Sequence, residues 1–127
     1  MGGGRGGGYG SESTAGQLRE NLQRLAEEFP RTSDGYFGGR ATNRRLRRIV
    51  SADPSTTAEK FFRIASEGAD EILTVRSGVV RARFGTNSYI TWRTRSHSDG
   101  SPVAEFNLAS HSSGIAPRQK IHFVKES

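Results

Sequence analysis

From Gly68 onward the chain keeps a two-residue period. Five short runs, EILTVR, VVRARF, SYITWRT, PVAEFNL and QKIHFV, alternate apolar and polar residues between turn residues, the pattern of strands with one face buried and the other wet. Strand following strand through tight links predicts an antiparallel sheet, and the helices before it must cover one face. The expected fold class is therefore α+β, with N-terminal helices packed on one face of a curved antiparallel sheet of about four or five strands.

Two helices are signalled upstream. Thr14-x-x-Gln17 fits a capping box, Leu18, Leu22, Leu25 and Phe29 fall on one stripe, and Pro30 ends the pattern. Asp53-Pro54 is a strong start for the second, because Asp accepts the free amides and Pro at the first position loses no bond. This helix carries Phe61, Phe62, Ile64 and Ala65 and stops at Gly68. Between the helices, RTSDGYFGGRATN is loop-like, and RRLRRIV is expected to form a short helix that pins Leu46, Ile49 and Val50. Arg44, Arg45, Arg47 and Arg48 would then face solvent, either as phosphate contacts or as a solubilising face. Residues 1–13, nearly all glycine at the start, are expected to be a disordered tail. Residues 14–52 form a helical accessory segment with a basic patch, and residues 53–127 the helix-plus-sheet domain.

Lys and Arg number 19 against 13 Asp and Glu, for a formal charge of +6. Most of the cations are arginine, whose planar fork matches phosphate oxygens and stacks on bases, so the balance favours nucleic acid over a merely solvated basic surface. With no cysteine, disulfides, thiolate zinc sites and cysteine nucleophiles are excluded. Neither a signal-peptide pattern nor an apolar run of membrane-spanning length is present, so no membrane association is expected and the cytoplasm is the expected site of action.

Alternation also sorts the side chains. Val80, Ala82, Phe84, Ile90, Trp92, Ala104, Phe106, Leu108, Ile121 and Phe123 would pack beneath the helices. The opposite set holds Arg81 and Arg83, then Tyr89, Thr91, Arg93 and Arg95, then Glu105 and Asn107, then Lys120 and His122. Such a face is either the ordinary wet side of a sheet or a set of parts for cleaving RNA through its own 2′-hydroxyl. That reaction needs a base for the hydroxyl proton, cations for the charge on phosphorus and an acid for the leaving oxygen. His122 is the candidate proton carrier, with a structural role as the alternative, and Glu105 is a second candidate. Arg93 and Lys120 would hold the phosphate, with Thr91 or Ser101 orienting it through a hydroxyl. Arg81, Arg83, Arg95 and the four arginines of residues 44–48 would bind the RNA backbone. His97 and His111 belong to loops. No metal or cofactor is expected, since the sequence has neither a phosphate loop nor a G-x-S-x-G elbow and its histidines lack metal-site spacing.

YITWRTRSHSDGSPVAEFNL, followed by GIAPRQKIHFVKE, resembles the C-terminal toxin domains of bacterial polymorphic toxin systems, which carry a TYRP-x-S-x-S-x-G-S-P hairpin and close with KIHFV. The matching residues are Thr91, Arg93, Ser96, Ser98, Asp99, Gly100, Ser101, Pro102, Asn107, Gln119, Lys120, Ile121, His122 and Phe123; AEKFFRIASEGADEI also looks like the family's Phe-Phe helix. The chain departs from the pattern at Thr94, where the family favours proline, and at Ala104-Glu105-Phe106, where an acidic-apolar order is commoner. The resemblance spans roughly residues 53–126. It implies a ribonuclease-type toxin of barnase/EndoU/RelE-like fold, whose open sheet face binds RNA and whose activity is held in check by an acidic cognate immunity protein. The expected activity is metal-independent endoribonuclease cleavage of RNA, tRNA among the candidates, by 2′-hydroxyl transesterification. Its alternative is a non-catalytic nucleic-acid-binding protein, such as a phage-encoded inhibitor or regulator.

Overall fold

The computed structural model describes residues 10–96 and 99–126, with side chains from residue 14. The first nine residues of the expected tail, and His97 and Ser98, lie outside the described residues.

Helix α1 (Gly10–Glu28) buries Leu18, Leu22 and Leu25 along one stripe. It begins four residues ahead of Thr14, so Thr14 sits inside the helix and does not cap it; its hydroxyl instead donates to Asp70 Oδ1 at 2.8 Å. Helix α2 (Pro54–Ser66) starts as its sequence predicts. The Asp53 carboxylate accepts from the Thr56 amide at 3.3 Å and from its hydroxyl at 2.9 Å, and Pro54 occupies the first turn. Past its end Gly68 takes φ +71°, a left-handed conformation that costs glycine little. The helices are joined by the buried Asn21, whose Nδ2 donates to the carbonyls of Ala65 and Glu67 at 3.1 and 2.8 Å, satisfying groups that the end of α2 leaves open.

The strands are β1 (Gly39–Arg40), β2 (Leu46–Ser51), β3 (Glu71–Arg76), β4 (Val79–Phe84), β5 (Ser88–Arg93), β6 (Val103–Asn107) and β7 (Arg118–Lys125). They form one sheet in the order β1-β2-β7-β6-β5-β4-β3. All five strands read after Gly68 are present, and the fold is α+β with both helices on one side. The sheet has seven strands, however, where four or five were expected. β2 runs parallel to β7, pairing Arg48 with His122 and Leu46 with Lys120, while the other pairings are antiparallel.

The extra strand β2 is the segment expected to be a short helix, and its burial alternates with period two. The inward positions are Arg47 and Ile49. Arg47 is only 3% exposed, and its guanidinium donates to the carbonyls of Phe37 at 3.0 Å, Arg44 at 2.9 Å and Gly38 at 2.8 Å. Three acceptors offset the desolvation of a buried cation, so the β-branched pair Ile49-Val50 can take the extended form that it favours.

Between helices and sheet lies one apolar core centred on Phe61. Its ring meets Phe29, Phe37 and Phe123 edge-on at centroid separations of 5.1, 5.4 and 5.4 Å. Truncating a buried Phe of this kind costs about 3–5 kcal/mol. Among the described residues no helix is long and apolar enough to cross a membrane.

Candidate active site

Residues paired across neighbouring strands share a face, so the register assembles the open face row by row. One row runs Arg48, His122, Val103, Arg93, Val79 and Arg76, from β2 to β3. The next runs Leu46, Lys120, Glu105, Thr91, Arg81 and Leu73. The third runs Arg118, Asn107, Tyr89, Arg83 and Glu71. His122 thus stands beside Arg48, one strand spacing away at roughly 4.8 Å between backbones, and one row from Lys120 at roughly 6.8 Å along β7.

His122 is 7% exposed although it lies on this open side. Asp99 and Ser101, just ahead of β6, lie against its Nδ1, and the Phe123 amide donates to the Pro102 carbonyl at 2.9 Å, extending the β6–β7 pairing. Within the β5–β6 connection the Asp99 carboxylate organises the turn, as a short acidic side chain between Ser and Gly residues is suited to do. Its Oδ1 accepts from the hydroxyls of Ser96 and Ser101 at 2.7 and 2.6 Å and from the Ser101 amide at 3.0 Å. These bonds, led by that from the Ser101 hydroxyl, hold the Asp99 carboxyl far below its ordinary range.

The Ser101 oxygen also lies 2.8 Å from His122 Nδ1. An ionised carboxylate can only accept, so the Ser101 proton points to Asp99 and the Ser101 oxygen must accept from His122 Nδ1–H. That fixes the tautomer: Nδ1 carries the proton and Nε2 carries the lone pair. Nε2 has no hydrogen-bond partner among the described residues. Burial pushes the His122 pKa below the ordinary value, with Asp99 opposing the shift and Lys120 and Arg48 adding to it. Asp99 Oδ1 also approaches Nδ1 to 3.5 Å, and the direction of the shift makes this a contact of a neutral ring.

The other expected residues divide. Arg93 shares the His122 row but is separated from it by Val103, and it makes a long 3.9 Å ion pair with Glu105. Thr91 is two strands from β7 and one row from His122, roughly 12 Å by strand spacings, so the two side chains are not brought together. Ser101 is close to His122 but acts on the imidazole, a role that its sequence position alone did not predict. Arg81 lies over the Tyr89 ring at 4.9 Å, and Arg83 is tied to Glu71 at 3.4 Å and to the Gly85 carbonyl. Arg44 lies over the Tyr36 ring at 5.9 Å, while Arg45 and Arg95 are exposed. Arg47 is withdrawn from the basic surface by its burial. His111 is exposed in the β6–β7 connection.

Sequence reasoning missed Asp99 as the organiser of the turn and Arg48 as the neighbour of His122. The spacing S-x-x-D-G-S from Ser96 to Ser101 is the signal for the first. The second needed the parallel pairing of β2 with β7. A cavity of about 360 Å³ opens beside Lys120, bordered by Asn43, Arg45, Glu105, Asn107 and Arg118, so it brings carboxylate and cationic groups together one row along β7 from His122, which does not line it. No family model, curated protein or solved structure matches this chain.

Proposed function

We propose that the chain is an endoribonuclease of the bacterial toxin type, cleaving RNA by metal-independent transesterification through the 2′-hydroxyl. The observation that carries this reading is the setting of His122, with Nδ1 held at Ser101, itself bonded to Asp99, and with Arg48 and Lys120 close enough to act on the charge of the ring.

In the proposed reaction His122 Nε2 takes the 2′-hydroxyl proton. The 2′-oxygen then attacks phosphorus, the bond from phosphorus to the 5′-oxygen breaks, and that oxygen leaves with a proton from the nearest ammonium, Lys120. The products are a 2′,3′-cyclic phosphate and a 5′-hydroxyl end. Arg48, and Arg93 beyond Val103, would stabilise the charge that develops on the phosphoryl oxygens. Arg118, Arg45, Arg44, Arg81 and Arg95 would hold the flanking backbone. A depressed pKa suits the base, because the imidazole is then already neutral at working pH. The cationic face would also suit an acidic cognate immunity protein as partner.

A second reading rests on the low exposure of His122: the imidazole locks the β5–β6 connection down, and the face binds nucleic acid without cutting it. Incubating the protein with total RNA in EDTA, then mapping ends, separates the two. Cyclic-phosphate ends that vanish in His122→Ala, with RNA binding retained, are the expected result. Intact RNA at every protein concentration would favour the binding protein.

A further inference from the structure

All six residues of β3 are exposed, and β3 forms an end of the sheet. Of the large hydrophobic side chains exposed among the described residues, Ile72 (55%), Leu73 (42%) and Val75 (42%) lie on this strand. An edge strand leaves a row of backbone donors and acceptors unpaired and is ordinarily blunted by proline, lysine or a bulge. Residues 71–76 contain neither proline nor lysine, and their bulge lies near the end of the strand, leaving residues 71–74 regular.

The irregularity in β3 gives this edge a particular symmetry. Thr74 pairs with Val80 and Arg76 with Val79, so Val75 is the extra residue of a bulge. In a regular strand Glu71 and Arg76, five positions apart, would point to opposite faces. The bulge returns Arg76 to the open face, where Glu71 and Leu73 stand opposite Arg83 and Arg81. The strand thereby becomes a palindrome about Leu73. Laid antiparallel against another copy of itself, Leu73 meets Leu73, Ile72 meets Thr74, and Glu71 meets Arg76 at both ends. Arg76 has no side-chain partner among the described residues, and Glu71 makes a single exposed ion pair, to Arg83 at 3.4 Å. Both can therefore turn to a partner strand.

We infer that β3 docks a second copy of this chain, edge to edge and antiparallel, with Leu73 on the two-fold axis and the Glu71–Arg76 pair formed twice. The contact is isologous, so it closes at two copies and does not propagate. It adds main-chain bonds, a small apolar centre and two ion pairs, and its area is small, so the dimer is weak and depends on concentration. This inference is independent of any ribonuclease activity.

Sedimentation velocity on the full chain, from about 1 to about 300 µM, tests it. The wild type is expected to pass from monomer to dimer across that range. Arg76→Glu sets Glu against Glu twice and is expected to weaken the dimer roughly tenfold or more, whereas Glu71→Arg combined with Arg76→Glu restores both pairs and most of the affinity. Leu73→Lys places like charges on the axis and is expected to leave a monomer. Far-UV circular dichroism at low concentration checks that each variant is folded, which the exposure of all three positions favours. A wild type that stays monomeric throughout would overturn the proposal. So would a dimer indifferent to Arg76→Glu, or one that the double exchange fails to restore.

Discussion

The two faces of the sheet use the same residue types to different ends. On the helix side, Arg47 and Gln119 commit their polar atoms to the backbone: Arg47 to three carbonyls, Gln119 to the Gly35 and Ala116 carbonyls and the Phe37 amide. On the open side, one residue away along each strand, Arg48, Arg118 and Lys120 have no side-chain hydrogen bond or ion pair among the described residues. A cation whose donors are used within the fold stabilises it, and a cation left with water is available to a phosphate. Chain position does not separate these roles, since a shift of one residue turns a side chain to the other face.

The largest effect expected from this contrast lies on the open side. If the His122 lone pair does the work proposed for it, His122→Ala lowers the cleavage rate by roughly 10²–10⁴-fold, while RNA affinity measured by filter binding changes little. Comparable losses of cleavage and affinity would mean that the imidazole only supports the surface.

Next in size is the pair of neighbouring arginines. Arg47→Ala leaves three carbonyls without their donor and is expected to destabilise the fold by about 2–4 kcal/mol. Arg48→Ala, on the exposed side, should cost under about 0.5 kcal/mol and instead reduce the salt slope of RNA binding by about 1. Urea unfolding and salt-dependent binding of both variants check this, and equal stability losses would erase the distinction between the faces.

Much of the fold is legible in the sequence, because the local signals agree with the final packing. The five strands after Gly68 alternate cleanly, and the Asp53-Pro54 start and Gly68 bound α2. Alternation likewise sorted His122, Lys120, Glu105, Thr91 and Arg93 onto one face. β2 is not legible, because one of its two inward positions is an arginine: Leu46-Arg47-Arg48-Ile49-Val50 lacks visible period two unless the carbonyls around Arg47 are known. Its pairing with β7 joins segments far apart in the chain, which no local pattern records. The contact of Ser101 with His122 was hidden for a related reason, since it depends on the β5–β6 connection lying against β7.

A smaller effect should follow from that contact. Ser101→Ala removes the acceptor for Nδ1–H and the link to Asp99, so the tautomer is no longer fixed. The cleavage rate is expected to fall roughly tenfold, with a changed pH profile and unchanged RNA affinity. In the wild type the rate should rise with pH through a value below the ordinary histidine 6.5, since the base must lose its proton to act. Substituting Ser101 should displace that limb, whereas a role for Ser101 in phosphate contact alone would leave it in place.

The smallest effect concerns stability against acid. His122 has a lowered pKa in the fold, so below about pH 6.5 the unfolded chain takes up that proton more readily, and stability declines toward the folded value. Asp99 is also lowered, so its contribution is complete above the ordinary aspartate value of 3.8 and is lost as pH falls below it. Both act in the same direction, and urea midpoints should drop in two stages on acidification. In His122→Ala the upper stage should disappear and the lower persist; a midpoint flat between pH 7 and pH 5 would show that burial of the neutral ring contributes nothing.

Base catalysis by His122 depends on the protonation of one imidazole, which long-range proton–nitrogen correlation spectra of His122 report directly. At neutral pH they should show Nδ1 protonated, Nε2 unprotonated, and a titration midpoint below that of an ordinary histidine. A proton found on Nε2, or a ring already positively charged at neutral pH, would contradict it.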